Sequence, residues 1–390
     1  MNNLCTDIGM KSLIKYNEEL CGDHFELIDQ GENSQVLVLA DGMGSGVKAN
    51  ILSTLTSKIL STMIAEGISV EECVLTMAST LPVCAVRNVA YSTFTILRII
   101  DNKEAEIIQY DNPHTILLRH GQLLEFPKEA LKIDGKIIYK SKLLIEDEDV
   151  FITTSDGAIH AGVGANLNFG WDRKEIIEFM EMMYHKNHTA KMLTDILLSE
   201  CNRLYGGKPG DDTTVCTIKI RQADQVNLMI GPPSKREDVQ RMQIDFFSNE
   251  GRYIVCGGTT STITGEFLKK PVIANLSYFD PEVPPTASIE GVDLVTEGVI
   301  TMSKVLEYAN DYLAENELYS KWGYKQDGAS KIARMLFEDA TNINFYVGRA
   351  VNPAHQNPNL PITFNIKMQL VESVAECLRK MGKKVKLRYF

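Results

Sequence analysis

Val36-Leu37-Val38-Leu39-Ala40-Asp41-Gly42-Met43-Gly44-Ser45-Gly46 is the stretch on which the reading of this chain turns. Five consecutive apolar residues fit a short strand buried in a core. The run stops at a carboxylate inside a glycine-rich turn. A helical pattern follows from about Val47 to Glu66, with Ile51, Leu55, Ile59 and Met63 four apart on one face, and Gly67 stands where such a helix stops. A carboxylate at the end of a buried strand needs a partner, because an unpaired buried charge is too costly to keep.

Three more aspartates sit beside glycine in the same way: Cys21-Gly22-Asp23, Ser155-Asp156-Gly157 and Gly210-Asp211-Asp212-Thr213-Thr214. Asp149-Val150-Phe151-Ile152-Thr153-Thr154 leads as a strand into the second of these, and Thr213–Ile220 leaves the third as another. Taken singly, an Asp-Gly pair is more often a turn or cap residue. Four at strand ends point to a shared partner, and a hard divalent cation, Mn²⁺ or Mg²⁺, satisfies several carboxylate oxygens at once. A two-ion site needs one carboxylate to bridge, others to anchor each ion, and room for a water that the ions acidify into a nucleophile. Asp41 is the natural bridge, Gly42 adds its carbonyl, and Asp156 and Asp211 anchor from later strand ends. The glycine beside the bridge lets backbone and water approach without Cβ in the way.

The segments Leu37–Gly46, Thr154-Ser155-Asp156-Gly157 and Gly210–Val215 resemble the PPM metal-dependent serine/threonine phosphatases, in particular the bacterial branch typified by stage II sporulation protein E. Gly22-Asp23, eighteen residues before Asp41, extends the resemblance, which spans roughly residues 5–220. It implies an α+β fold, a β-sandwich flanked by helices with two ions at one end. It implies Asp41, Gly42, Asp156 and Asp211 as direct metal ligands, with Asp41, Asp156 and Asp211 carrying the chemistry and Asp23 reached mainly through water. The implied reaction is hydrolysis of phosphoserine or phosphothreonine on a phosphoprotein by a hydroxide bridging the ions. Met43 stands where eukaryotic members often have His, and no equivalent of their phosphate-gripping arginine is visible.

At 390 residues the chain divides into two domains, read as 1–221 and 225–390. A net charge of −11 argues against nucleic acid or an anionic membrane as the main partner. The opening residues carry no secretory pattern and no apolar run spans a membrane, so the expectation is a cytoplasmic protein. Eight cysteines without a C-x-x-C pair read as reduced thiols. The seven histidines show no metal-ligand spacing, and none is offered as catalytic.

From Val226 onward strands and helices alternate, which reads as a separate α/β domain with a partly parallel sheet. Helices are expected at Ser234–Asn249, with Ser234 and Glu237 as a capping box, and at Thr262–Lys269, Thr301–Ala314, Ala329–Thr341 and Gln369–Met381. Strands are expected at Arg252–Cys256, Ile343–Val347, Ile362–Ile366 and Val385–Tyr389. Between a strand and a helix lies Cys256-Gly257-Gly258-Thr259-Thr260-Ser261-Thr262, where backbone N–H groups could hold a small anion; a capped βα turn explains it nearly as well. Glu290, Asp293, Glu297 and the segment Asn352–Pro358 are read as closing the same crevice. The reading is thus a phosphoprotein phosphatase regulated by, or recruited through, its second domain. The alternative is a catalytically idle phosphatase-fold module that binds a ligand or partner. A homo-oligomer is compatible with either.

Overall fold

Every residue of Val36–Ala40 is buried, and alternate members face opposite sides: Leu37 and Leu39 into one apolar cluster, Val36, Val38 and Ala40 into another. A strand covered on both faces explains the continuous apolar run. The computed structural model describes residues 3–31, 33–80, 92–275, 280–314, 316, 318–350 and 363–390, and these form two units, Met1–Gln222 and Ala223–Phe390.

The first unit opens with strands β1 (Leu4–Leu13), β2 (Asp23–Asp29) and β3 (Gln35–Asp41), then helices α1 (Gly46–Ala65) and α2 (Val70–Thr80). Strands β4 (Thr93–Ile100), β5 (Glu104–Tyr110), β6 (Ile116–Arg119), β7 (Gln122–Leu123), β8 (Glu129–Ile133), β9 (Lys136–Leu144) and β10 (Asp149–Thr154) follow. Helices α3 (Asp156–Ile159), α4 (Arg173–Met183) and α5 (Ala190–Leu204) precede the closing strand β11 (Thr213–Gln222). Two sheets result, β1-β11-β10-β6-β7 and β2-β3-β4-β5-β9-β8. Leu37, Leu39, Leu97 and Ile107 of one pack with Leu117, Phe151, Cys216 and Ile218 of the other. The outer face of the second sheet is covered by α1 and α2, and that of the first by α4 and α5. This is the helix-flanked sandwich that was expected.

The apolar stripe expected on α1 holds only in its second half, where Ile59 and Met63 pack against the core. Ile51 and Leu55 are exposed, with Val47 beside them, and the face turned to the sheet is Ala49, Ser53, Thr56, Ser57, Leu60, Ser61 and Ile64. Small residues bring the helix close to β2 and β3: Ser53, Ser57 and Ser61 donate to the carbonyls of Asn50, Thr54 and Lys58 at 3.1, 3.1 and 3.2 Å, and Ser57 also bonds the His24 ring of β2 at 2.8 Å.

The second unit contains β12 (Gln225–Ile230), α6 (Asp238–Phe247), β13 (Arg252–Cys256), α7 (Gly258–Leu268), β14 (Ile273–Ala274), β15 (Ala287–Ile289) and β16 (Val292–Thr296). Then come α8 (Val299–Leu313), α9 (Tyr319–Trp322), α10 (Gly328–Ala333) running into a π-helix over Arg334–Asp339, β17 (Asn342–Val347), α11 (Thr363–Lys380) and β18 (Lys384–Tyr389). Its sheet runs β14-β15-β16-β13-β12-β17-β18, parallel from β16 to β18 with β14 and β15 antiparallel at one edge. The partly parallel α/β reading therefore holds. The expected strand over 362–366 does not: residues 363–366 are the opening of α11, whose Val371, Val374, Ala375 and Leu378 recur at helical spacing into the core. The Ser234–Glu237 capping box is also absent. Asp238 and Val239 donate to the carbonyls of Lys235 and Arg236, and this turn delays α6 to Asp238.

Cys5, Cys21, Cys73, Cys201, Cys216, Cys256 and Cys377 are free thiols; Cys84 and Pro82 lie outside the described residues. Among the described residues no helix is long and apolar enough to cross a membrane. Truncating fully buried Leu39 to Ala leaves a cavity between the two sheets of the first unit. A loss of about 2–5 kcal/mol is expected, read as a lower urea midpoint for that unit's transition with the second unit's transition unmoved.

Candidate functional site

The two sheets deliver their aspartates to one end of the sandwich. Antiparallel pairing of β2 with β3 sets Asp23 directly opposite Asp41, and pairing of β3 with β4 sets Asp41 opposite Thr93. In the facing sheet Thr154 lies opposite Val215, so Asp156 leaves β10 where Asp211 and Asp212 enter β11. The Ser155 N–H donates to the Thr214 carbonyl at 3.0 Å, and the Thr214 N–H donates to Ser155 Oγ at 2.9 Å, which ties the two ends together. Asp23, Asp41, Gly42, Asp156 and Asp211 all line one cleft of about 1160 Å³, with Asp212 beside them.

Two glycines are required by close packing. A Cβ on Gly42 would lie 2.1 Å from the carbonyl oxygen of Ala49, so α1 presses directly on the residue after Asp41. A Cβ on Gly157 would lie 2.1 Å from the Asp212 carbonyl. The adjacent carboxylates are held by backbone that a side chain would displace.

The carboxyls are electrostatically strained. Burial, then the neighbouring charges of Asp23 and Asp156, hold the Asp41 carboxyl well above the usual carboxylate range, and it shares a hydrogen bond with Asp156. Burial likewise raises Asp156, with Asp211 adding repulsion. Asp23 is only 4% exposed. Burial raises it too, against the pull of the Ser155 and Thr214 hydroxyls, and its Oδ2 has no hydrogen-bond partner. Asp212 accepts from the Lys15 N–H at 3.0 Å through Oδ1 while its Oδ2 is unpartnered. Burial, followed by the Asp23 charge, pushes the Cys21 thiol up to about 12, so this sulfur stays protonated and is no nucleophile.

Among the described residues no three His, Cys, Asp or Glu side chains are gathered into a ready-made ion-ligating group. The donor set nevertheless fits a hard cation. Oxygen ligands of one sign share a cleft, a buried carboxylate oxygen is orphaned, and neighbouring carboxyls hold one another above the usual carboxylate range. Asp211 stands somewhat apart, its Oδ1 3.5 Å from the Lys15 ammonium. Lys15 was missed in the sequence because β1 does not read as a strand: Asp7, Gly9 and Lys11 interrupt its apolar pattern. Lys136, His114 and His160 line the cleft as well.

In the second unit Gly257–Thr262 covers the end of β13 and the first turn of α7, as expected. Glu290 and Asp293 do not close that crevice. They flank the amino end of β16, where Lys270 pairs with Glu290 at 2.6 Å and Asp293 accepts from the Tyr253 N–H at 2.7 Å. Only Glu297 lies at the carboxyl end, because a five-residue strand separates the two groups. Asn352–Pro358 falls outside the described residues.

Residues 31–221 match the family model described as Stage II sporulation protein E (SpoIIE). The stage II sporulation protein E of Bacillus subtilis (strain 168) is 25% identical over 206 residues, 51% of this chain and 24% of that protein. The protein of the same name from Priestia megaterium is 21% identical over 220 residues, 55% of this chain and 36% of its own length. The chain thus spans about a quarter to a third of the curated relatives it matches. A solved structure of the PP2C phosphatase domain with a fragment of the regulatory domain of SpoIIE from Bacillus subtilis aligns with TM-score 0.48 and 20% identity, covering 56% of this chain and 64% of that one. The resemblance to stage II sporulation protein E read from the motifs is borne out over residues 31–221.

Replacing Gly42 by Ala forces α1 away from the Asp41 turn. A destabilisation of about 1–3 kcal/mol is expected from such overpacking, measurable as a lower melting temperature of the first unit, with β3 itself intact by circular dichroism.

Proposed function

We propose that the first unit is a divalent-metal-dependent phosphatase acting on phosphoserine or phosphothreonine of a protein. The observation that carries this reading is the single cleft in which Asp23, Asp41, Asp156 and Asp211 meet with unbalanced charge. Asp41, Asp156, Asp211 and the Gly42 carbonyl would hold Mn²⁺ or Mg²⁺, with Asp23 behind Asp41 as an outer acceptor. When bound, such ions supply Lewis-acid polarisation of a phosphoryl group and acidify water.

The remaining steps belong to this chain's own groups. The Lys15 ammonium, already in the cleft, binds the dianionic phosphate and releases Asp211 as it does so. The Ser155–Thr214 bonds keep Asp156 and Asp211 at fixed separation while substrate enters. The second unit would regulate the first or recruit its substrate, in a cytoplasmic setting. The Lys15–Asp211 pair favours a second reading, an idle phosphatase-fold module that works by contact alone. Turnover separates the two.

With Mn²⁺ present, the wild-type chain should hydrolyse p-nitrophenyl phosphate and a phosphoserine peptide, and Asp41→Ala should reduce the rate to background. Calorimetry should show Mn²⁺ binding in the wild type and its loss in Asp41→Ala. Hydrolysis that survives this substitution, or wild-type protein that neither binds Mn²⁺ nor turns over, defeats the enzyme reading. Lys15→Met should raise KM for the phosphopeptide about tenfold, the worth of one charge-assisted contact, with metal affinity unchanged or higher.

A further inference from the structure

Glycines follow the carboxyl ends of the central parallel strands in the second unit: Gly231 after β12, Gly257 after β13, Gly298 two residues past β16, and Gly348 after β17. Backbone converges there. A Cβ on Gly348 would lie 2.2 Å from the Pro232 carbonyl, and one on Gly298 would lie 3.5 Å from the Gly257 Cα. The last contact brings the starts of α7 and α8 side by side, both helices long enough to carry a full set of unbonded first-turn N–H groups.

The two starts are not equivalent. At α8 the Glu297 carboxylate accepts from the Ile300 N–H at 3.1 Å, so that terminus already has its anion. At α7 the cap is Gly257, which has no side chain to offer. The Gly257 N–H is spent on the Thr296 carbonyl at 2.9 Å, which leaves the N–H groups of Gly258, Thr259 and Thr260 ahead of the first intrahelical acceptor.

A second observation points to a ligand. Thr260, 2% exposed, has a hydroxyl with no hydrogen-bond partner, and its Oγ1 is 3.2 Å from where a Cβ on Gly257 would stand. It is aimed at the mouth of the helix. Its neighbours behave otherwise: the Ser261 and Thr262 hydroxyls donate back to the Gly257 and Gly258 carbonyls at 2.8 and 3.1 Å. Thr301, in the first turn of α8 and fully buried, has an unpartnered hydroxyl too. Buried hydroxyls without partners cost stability and call for an absent acceptor. On the same edge the Lys367 ammonium donates to the Gly348 and Ala350 carbonyls, with no carboxylate acting on it.

We propose that the start of α7 seats the phosphate group of a small phosphate monoester. Gly257 and Gly258 give close backbone approach, the first-turn N–H groups and the Thr260 hydroxyl donate to the phosphoryl oxygens, and Lys367 adds positive potential along the edge. The Glu297 carboxylate on the rim disfavours a bare anion and accepts from hydroxyls, so a hydroxylated ester binds more tightly than inorganic phosphate. This site lies in the other unit and needs no metal, so it stands or falls independently of the phosphatase reading.

The test is titration calorimetry on the full chain in EDTA, with inorganic phosphate, ribose 5-phosphate and AMP as probes. Saturable binding of a probe is expected, unchanged in Asp41→Asn and weakened at least about tenfold in Thr260→Val, the loss of one hydrogen bond to a charged group. Because valine removes an unpaired hydroxyl, the ligand-free Thr260→Val protein should melt no lower than the wild type, which excludes unfolding as the cause. The ranking of probes separates free phosphate from an ester. Equal affinity in Thr260→Val, abolition by Asp41→Asn, or no binding of any probe up to roughly 10 mM overturns the proposal.

Discussion

Like charges forced to face one another are the constraint on which the first unit is built. The register of β2 against β3 sets Asp23 directly opposite Asp41 at the end of a strand that is apolar on both faces. The opposite sheet adds Asp156 and Asp211 in the same manner, through the pairing of β10 with β11. Hydrophobic burial therefore fixes where the carboxylates stand, and their mutual repulsion is the part of the folding energy left unbalanced until a cation or a proton arrives. Burial and the neighbouring carboxylates accordingly raise Asp41 and Asp156 alike.

Much of this was legible in the chain because each aspartate closes or opens an apolar strand next to a glycine. The pattern worked best where both faces of a strand are buried, as at Val36–Ala40 and Val150–Thr154, since burial on both sides leaves an uninterrupted apolar run. It failed at β1, whose Asp7 and Lys11 find partners elsewhere in the fold: Asp7 accepts from the Ala190 N–H at 2.8 Å and Lys11 lies 3.5 Å from Asp195. No local signal announces such partners, and Lys15 was lost with that strand. Helix α1 was misread for a related reason. Spacing reports that a helix has two faces, but not which one the sheet accepts when close approach favours serine over leucine.

In the second unit the order of strands and helices was readable, while placement of polar residues about the sheet was not. Glu290, Asp293 and Glu297 are close in sequence, yet β16 carries the first two and the last to opposite ends. The strand misassigned at 362–366 lies where an apolar, β-branched stretch starts a helix, so short-range composition and longer-range periodicity pointed in different directions. The π-helix over Arg334–Asp339 had no signal at all in the apolar spacing.

The serine-lined face of α1 has a mechanical consequence. Small side chains bury little apolar area, so the half of α1 nearest Asp41 is held by Leu52 and by Asn50, which donates to the Cys21 carbonyl at 2.8 Å. The fully buried apolar anchors, Leu60 and Ile64, come toward the far end. Between these anchors the rod rests on small side chains, and the end nearer Asp41 abuts the backbone of Gly42. Tilting of that rod would reach the Asp41 turn as a push on a single peptide unit.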